Sequence, residues 1–135
     1  MRRLRAIRHS APNEGIELTA IDAFRPLFDA YIAAYRRGDA LACADCYSED
    51  GEILSPYGPP AKGRDALEAL HVGWLAEGGE DKEIELLSGG VDGDLGWALT
   101  RFSEGNAGDA GVSLNVMKRG GDGLWRIRAS SLTDE

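Results

Sequence analysis

The back half of the chain leaves little conformational freedom. In LGWALTRFS, residues 95–103, Leu95, Trp97, Leu99 and Arg101 fall on one face of an extended chain and Ala98, Thr100 and Phe102 on the other. That is the period of two that a strand imposes on its side chains. VSLNVMK (112–118) and LWRIRASSL (124–132) repeat the alternation, and the runs DGD, GNAGDAG and RGGDG separate the segments with the residue types that tight turns require. Adding KEIELLSGGV (82–91) makes four consecutive strands joined by short, glycine-rich turns. Connections that short pair neighbours antiparallel, because a parallel crossover needs a much longer link.

The front half has a different period. From Thr19 to Arg37, Phe24, Leu27, Phe28, Tyr31 and Tyr35 recur at three- and four-residue steps and so share one face of a helix. Pro26 lies well inside this span and removes a backbone donor, so the regular helix either begins near Arg25 or is kinked there. Gly38 is placed to take the left-handed cap conformation, and Asp39 to cap a second, short helix over about Ala40 to Tyr47. GEIL predicts a strand from about Gly51 to Ser55, and ILSPYGPPAKG (53–63) carries it into a proline-rich bend. Gly63 opens a third helix, with Asp65 and Glu68 in the first turns, where the helix dipole favours negative charge. Leu67, Leu70, His71 and Trp74 mark its buried face, and EGGED ends it. Helices first and a sheet afterwards is an α+β layout. The expected form is a cone-shaped barrel of three N-terminal helices packed on a strongly curved, mixed, mainly antiparallel sheet. Gly89, Gly90, Gly96 and Gly111 suit its bulges and bends. Such curvature against a long helix encloses a cone with one open end, lined by apolar and aromatic residues as small-molecule pockets are.

At 135 residues, 43% hydrophobic and 28% charged, the chain has the size and balance of a single folded domain. A net charge of -8 repels phosphate backbones and anionic membrane surfaces, which argues against nucleic acid or a membrane as partner. The exception is MRRLRAIRH, with Arg2, Arg3, Arg5 and Arg8, followed by the polar run SAPNEG. It lacks the apolar stretch of ~7 residues that a secretory signal needs. Residues 1–18 therefore read as a basic, frayed arm ahead of a domain over 19–133. No later segment approaches the ~20 apolar residues of a transmembrane helix, and a cytoplasmic protein is expected. Cys43 and Cys46 form CADC, but a helical segment precedes them and the acidic SED follows, the reverse of what a reactive thiol needs. Zinc needs four ligands, and the further soft candidates are His9 and His71 alone. The two cysteines are expected to be small apolar residues on a short helix. The sequence has no phosphate loop, Ser-His-Asp order, paired metal ligands or nucleotide fingerprint, so no cofactor is expected.

The stretch YIAAYRRGDALACADCYSEDGEILSPYGPPAKGRDALEAL (31–70) resembles the nuclear transport factor 2-like superfamily, most closely its SnoaL-like and ketosteroid isomerase-like branch. The shared features are an aromatic helix ending in GD, an aromatic residue ahead of an aspartate and a strand, the proline-rich bend, KGRDAL opening the third helix, and a final strand beginning LWRI. The resemblance covers roughly residues 19–133. It implies a conical α+β barrel, often a homodimer packed through the sheet. Ketosteroid isomerases use an aspartate base, a tyrosine hydroxyl and a protonated aspartic acid. By the resemblance, Tyr31 falls on the oxyanion-binding tyrosine. The base position, just before Pro56, is Ser55, whose unperturbed hydroxyl cannot take a carbon-bound proton near neutral pH. The second acid falls near Leu114, a wall rather than a donor. SnoaL-like cyclases depend on a single acid, and the nearest here are Asp50 and Glu52. The limonene epoxide hydrolase branch surrounds its water with Asp-Arg-Asp, of which only Arg101 is matched.

Other polar groups are placed to converge. Tyr35 follows Tyr31 by one turn, and a buried tyrosine hydroxyl needs a partner. Arg101 shares a strand face with Trp97 and Leu99. If that face is concave, its guanidinium needs Asp50 or an anionic ligand; if it turns outward, Arg101 is a solvated charge at a dimer edge. His71 is either a general base or a packed side chain. Asn115 and Ser131 are candidate hydrogen-bonding groups. The chain is thus expected to bind a small apolar or carbonyl-containing ligand in an apolar conical pocket, in the manner of a ketosteroid isomerase or polyketide cyclase without the usual aspartate. Tyr31 is the catalytic candidate, and Tyr35, Ser55, Tyr57, His71, Trp74, Trp97, Arg101 and Asn115 are the pocket candidates. The alternative is a non-catalytic dimerisation or ligand-sensing module.

Overall fold

A computed structural model of the chain describes residues 14–104 and 110–134, with side chains from Ala20 onward. The arginines of the basic arm, His9 and most of the GNAGDAG turn lie outside the described residues. In chain order the elements are α1 (Glu14–Arg36), α2 (Ala40–Asp45), β1 (Tyr47–Ser55), β2 (Gly58–Lys62), α3 (Arg64–Leu75), β3 (Glu83–Asp92), β4 (Leu95–Ser103), β5 (Ala110–Arg119) and β6 (Trp125–Asp134). The α+β class holds, but two strands stand between the second and third helices.

Helix α1 begins upstream of Thr19 and runs without a break through Pro26. Pro26 is exposed, and so is Asp22, the residue whose carbonyl loses its helical partner to the proline ring. Water can satisfy that carbonyl, which removes the main cost of an internal proline. The opposite face carries Ala20, Phe24, Leu27, Phe28, Tyr31, Ala34 and Tyr35 into the core. The exit is as the residues dictate: Gly38 takes φ 74°, and the Asp39 N–H donates to Ala34 O at 2.9 Å. The Asp39 carboxylate then accepts from the Ala42 N–H at 3.0 Å and caps α2. That helix stops at Asp45, short of Tyr47, which already belongs to β1.

The six strands lie in the order β2-β1-β6-β5-β4-β3. All neighbours are antiparallel except β1 and β6, which run parallel, so the sheet is mixed. The proline-rich stretch is not only a bend. Ser55 pairs with Gly58 across a tight turn and Ala61 pairs with Ile53, so Pro59 and Pro60 sit in a strand. They are tolerated because β2 is an edge strand, whose outer side needs no ladder donors.

The helices cover one face of the sheet, with α1 chiefly against β3 and α2 against α3. That face presents Ala98, Thr100 and Phe102 from β4, Ser113, Asn115 and Met117 from β5, and Ile127 and Ser130 from β6. The register irregularities fall at Ile53–Ser55, Leu86–Ser88, Val116–Met117 and Tyr47–Glu52, not at the four glycines suited to bulges. Three of these glycines, Gly90, Gly96 and Gly111, admit aromatic rings instead. A Cβ on Gly96 would stand 2.4 Å from Phe24 Cζ, and one on Gly90 2.6 Å from Trp97 Nε1.

Candidate functional site

Between α1, α3 and the covered face of the sheet lies a recess in two parts. The outer part, about 200 Å3, is framed by Tyr35 of α1, Trp74 and Glu77 at the end of α3, and Tyr57 of the β1–β2 turn. Phe102, Glu104, Leu132 and Lys82 complete it. The inner part, about 40 Å3, shares Trp74, Lys82, Phe102 and Leu132 with the outer and continues to Tyr31, Tyr47, Thr100, Ser113, Asn115 and Ser130. The expected apolar lining is thus interrupted by an amine and two carboxylates at the wider end.

Lys82 is held from both sides of its peptide: its N–H donates to Gly79 O at 3.1 Å, and its carbonyl accepts from Arg36 Nε at 2.8 Å. Its side chain is 7% exposed and its Nζ stands 3.0 Å from Glu104 Oε2. The ammonium also lies 4.3 Å from the centre of the Tyr35 ring and 5.1 Å from that of Phe102, within cation–π range. Burial holds the Lys82 pKa below the ordinary lysine range, against the opposing attraction of Glu104. The Tyr35 hydroxyl donates to the same Glu104 oxygen at 3.2 Å, and burial followed by the Glu104 charge pushes that phenol well above its ordinary range.

Deeper in, the polar groups satisfy one another. Thr100 and Ser113 share a hydrogen bond of 2.6 Å. Asn115 Nδ2 donates to Ala98 O at 3.2 Å, and Ser130 Oγ donates to Asn115 Oδ1 at 2.7 Å. Burial pushes the Tyr47 phenol above its ordinary range, and Ser130 opposes that shift. Among the described residues, no fully buried polar side-chain atom of the recess lacks a partner.

The geometry changes the roles expected of Tyr31 and His71. His71 is fully buried, and its Nδ1 lies 2.7 Å from Leu67 O. A carbonyl only accepts, so Nδ1 carries the proton. Burial lowers the His71 pKa to about 4, so the ring is neutral and Nε2 is a bare acceptor. The Tyr31 hydroxyl, 2.8 Å away, must donate to it. Its one proton is committed, so it cannot polarise a carbonyl oxygen without releasing His71. His71 itself lines neither part of the recess and is a positioning residue behind Tyr31.

The fold brings Tyr31, Tyr35, Tyr57, Trp74 and Asn115 of the expected residues together around the recess. It does not bring the others. Ser55 Oγ accepts the Tyr57 N–H at 3.2 Å and serves the turn. Trp97 is 43% exposed on the outer face of β4, where its side chain covers Gly90. Arg101 shares that face and pairs with Glu85 at 3.5 Å. Leu114, 48% exposed, is outside as well, so no leucine replaces an acid on the inner wall; its neighbours Ser113 and Asn115 face in. Ser131 is exposed and Ser130 takes the inward position. Asp50 and Glu52 bind Arg128 at 3.2 and 2.8 Å and are not recess acids. Cys43 and Cys46 are free, their thiols pushed by burial to about 12 and about 11, which keeps them protonated at neutral pH. Among the described residues, no group of three or more His, Cys, Asp or Glu side chains converges on a metal-sized site, and no helix is long and apolar enough to cross a membrane.

Lys82, Glu104, Glu77 and Tyr47 were not picked out from the sequence. Lys82 sits in EDKE, which looks like any solvated charge run. Glu104 follows the last residue of β4 by one position, and only its adjacency to a strand end hinted at a place on the rim.

An α+β domain with this topology and a recess between helices and sheet is of the nuclear transport factor 2-like class, and solved structures share it. A ketosteroid isomerase-like protein from Erwinia carotovora atroseptica superposes with TM-score 0.69 at 20% identity, covering 90% of this chain and 97% of that one. A nuclear transport factor 2-like protein with a cystatin-like fold from Novosphingobium aromaticivorans gives TM-score 0.68 at 23% identity, over 85% and 81%. A putative calcium/calmodulin-dependent protein kinase type II association domain from Thiobacillus denitrificans gives 0.69 at 16%, over 82% and 94%. At these identities the likeness is one of fold. The chain belongs to the SnoaL-like domain family, which it matches over residues 28–129. No curated protein matches the sequence.

Proposed function

We propose that this protein binds a small molecule in the two-part recess, with the ligand's apolar body against Trp74, Phe102 and Leu132 and a polar end at Lys82 and Glu104. In this reading the larger outer part receives the ligand and the smaller inner part, towards Asn115, is its closed end. The observation that carries this reading is the pairing of a buried Lys82 with a half-buried Glu104 on the wall of a largely aromatic and aliphatic cavity. Burying the Lys82 ammonium costs desolvation energy, and sites that orient ligands are where such costs are commonly met. The isomerase mechanism is not part of the proposal, because Ser55 serves the turn and the Tyr31 proton is held by His71.

A thermal-shift screen of small carbonyl compounds and carboxylic acids tests it, run on the wild type, Tyr35→Phe and Lys82→Met. A compound that raises the wild-type melting temperature and loses its effect in either variant places the ligand at the mouth. If shifts persist unchanged in both variants, the polar anchor is elsewhere and the reading fails.

The outer face of the sheet favours a second, compatible reading. Trp97 pairs with Val116 and Leu99 with Leu114 across β4 and β5, and Leu95, Trp97, Leu114 and Val116 are all exposed. Contiguous exposed apolar residues on one face mark an association surface. We propose that a second copy of the chain covers it in a symmetric pairing.

A further inference from the structure

Three of the fifteen basic residues are lysines, Lys62, Lys82 and Lys118; the other basic side chains are arginine. Arginine is the usual choice for a buried ion pair, since its fork matches a carboxylate and it sheds water at lower cost. In a chain so rich in arginine, a lysine at the one basic position on the recess wall among the described residues places a primary amine there. Lys62 and Lys118 are exposed, whereas Lys82 Nζ is enclosed by Glu104, the Tyr35 ring and the Phe102 ring. Its peptide is fixed through Gly79 and Arg36, so the amine has a defined position. Glu104 lies within proton-transfer distance at 3.0 Å, and the Tyr35 hydroxyl donates to the same carboxylate oxygen.

We infer that Lys82 is an imine-forming lysine that captures an aldehyde or ketone entering the recess. The inference rests on the small-molecule reading above and adds a covalent step to it. The Lys82 ammonium passes one proton to Glu104, and the freed nitrogen lone pair attacks the carbonyl carbon. A C–N bond forms, the C=O π bond opens, and the oxygen takes a proton from the nitrogen to give a carbinolamine. Glu104, now a carboxylic acid, returns its proton to the hydroxyl. The C–O bond breaks, water leaves, and the nitrogen lone pair closes the iminium. Carbonyl compound and ammonium have become iminium and water, with Glu104 regenerated and no oxidant or reductant consumed. Burial, which lowers the Lys82 pKa, increases the share of free amine available for the first step.

The test is reductive trapping with benzaldehyde and sodium cyanoborohydride at neutral pH, read by intact mass and peptide mapping, with benzaldehyde melting shifts measured in parallel. The expected result is that Lys82 is benzylated about tenfold faster than Lys62 or Lys118, a modest preference for a carbonyl held beside its nucleophile. Lys82→Arg, which keeps the positive charge, removes that label. If benzaldehyde raises the melting temperature but labels the three lysines at equal rates, the imine inference fails and the binding reading stands. With neither a shift nor a preference, both fail together.

Discussion

At the scale of single residues, His71 makes stability depend on pH in a defined window. Its folded pKa of about 4 lies below the ordinary 6.5 because burial disfavours the charged ring. As pH falls below 6.5 the unfolded chain takes up a proton that the folded chain refuses. The stabilisation is therefore complete above pH 6.5 and lost progressively down to about 4, amounting to roughly 3 kcal/mol at about 1.4 kcal/mol per pH unit. Urea denaturation at pH 7 and pH 5 should show the loss in the wild type, and His71→Gln, which does not titrate, should flatten it. Equal pH dependence in the two proteins would show that His71 is not the group responsible. Tyr31→Phe belongs to the same dyad: it leaves a buried Nε2 without its donor, and should cost about 1–3 kcal/mol at pH 7. That cost is why Tyr35 and Lys82, and not Tyr31, are the informative positions for ligand binding. The sequence placed Tyr31 and His71 on the buried faces of two separate helices but not in contact, because 40 residues separate them and only tertiary packing decides which nitrogen meets which hydroxyl.

Strands β4 and β5 show how far local pattern reaches at the scale of elements. Alternation sorts Trp97 from Ala98 and Leu114 from Asn115, and the structure keeps both partitions. Parity does not say which set faces the helices. The more apolar set looks like the core side, yet the covered face is the one with Ala98, Thr100, Ser113 and Asn115. The choice is settled by the fit of α1, whose Phe24 ring occupies the space a side chain on Gly96 would need. Gly96→Ala puts a methyl group 2.4 Å from Phe24 Cζ and should cost about 1–3 kcal/mol by overpacking. Phe24→Leu in the same chain should recover part of that loss, so the double mutant should be more stable than the sum of the single effects predicts. Strict additivity in denaturation would mean that α1 does not press on β4 at this point. Strand β2 escaped notice for a related reason: Pro59 and Pro60 argue against a strand unless it is known to lie at an edge, and strand order is a property of the whole sheet.

The choice of face has a consequence for the whole molecule. Strands that turn their larger apolar side chains outward leave Leu95, Trp97, Leu114 and Val116 in water, and the proposed pairing of two copies through this face removes that exposure. The long-range electrostatics oppose it, since each copy carries a net charge of -8, and like net charges keep proteins apart. Association driven by apolar contact against charge repulsion should tighten as salt screens the repulsion, the reverse of a dimer held by ion pairs. Sedimentation equilibrium at about 20 mM and about 300 mM salt, where the screening length falls from roughly 20 Å to below 10 Å, should therefore show the dimer fraction rising with salt. Trp97→Glu places a charge at the centre of the face and should give a monomer at both salt concentrations. Its ligand-induced melting shifts should be retained, because Trp97 lies on the opposite side of the sheet from Lys82 and Glu104. A wild type that sediments as a monomer throughout would remove the dimer and leave the outward apolar face unexplained. A dimer that weakens with salt would point instead to charged contacts such as Arg101 and Glu85 at its rim.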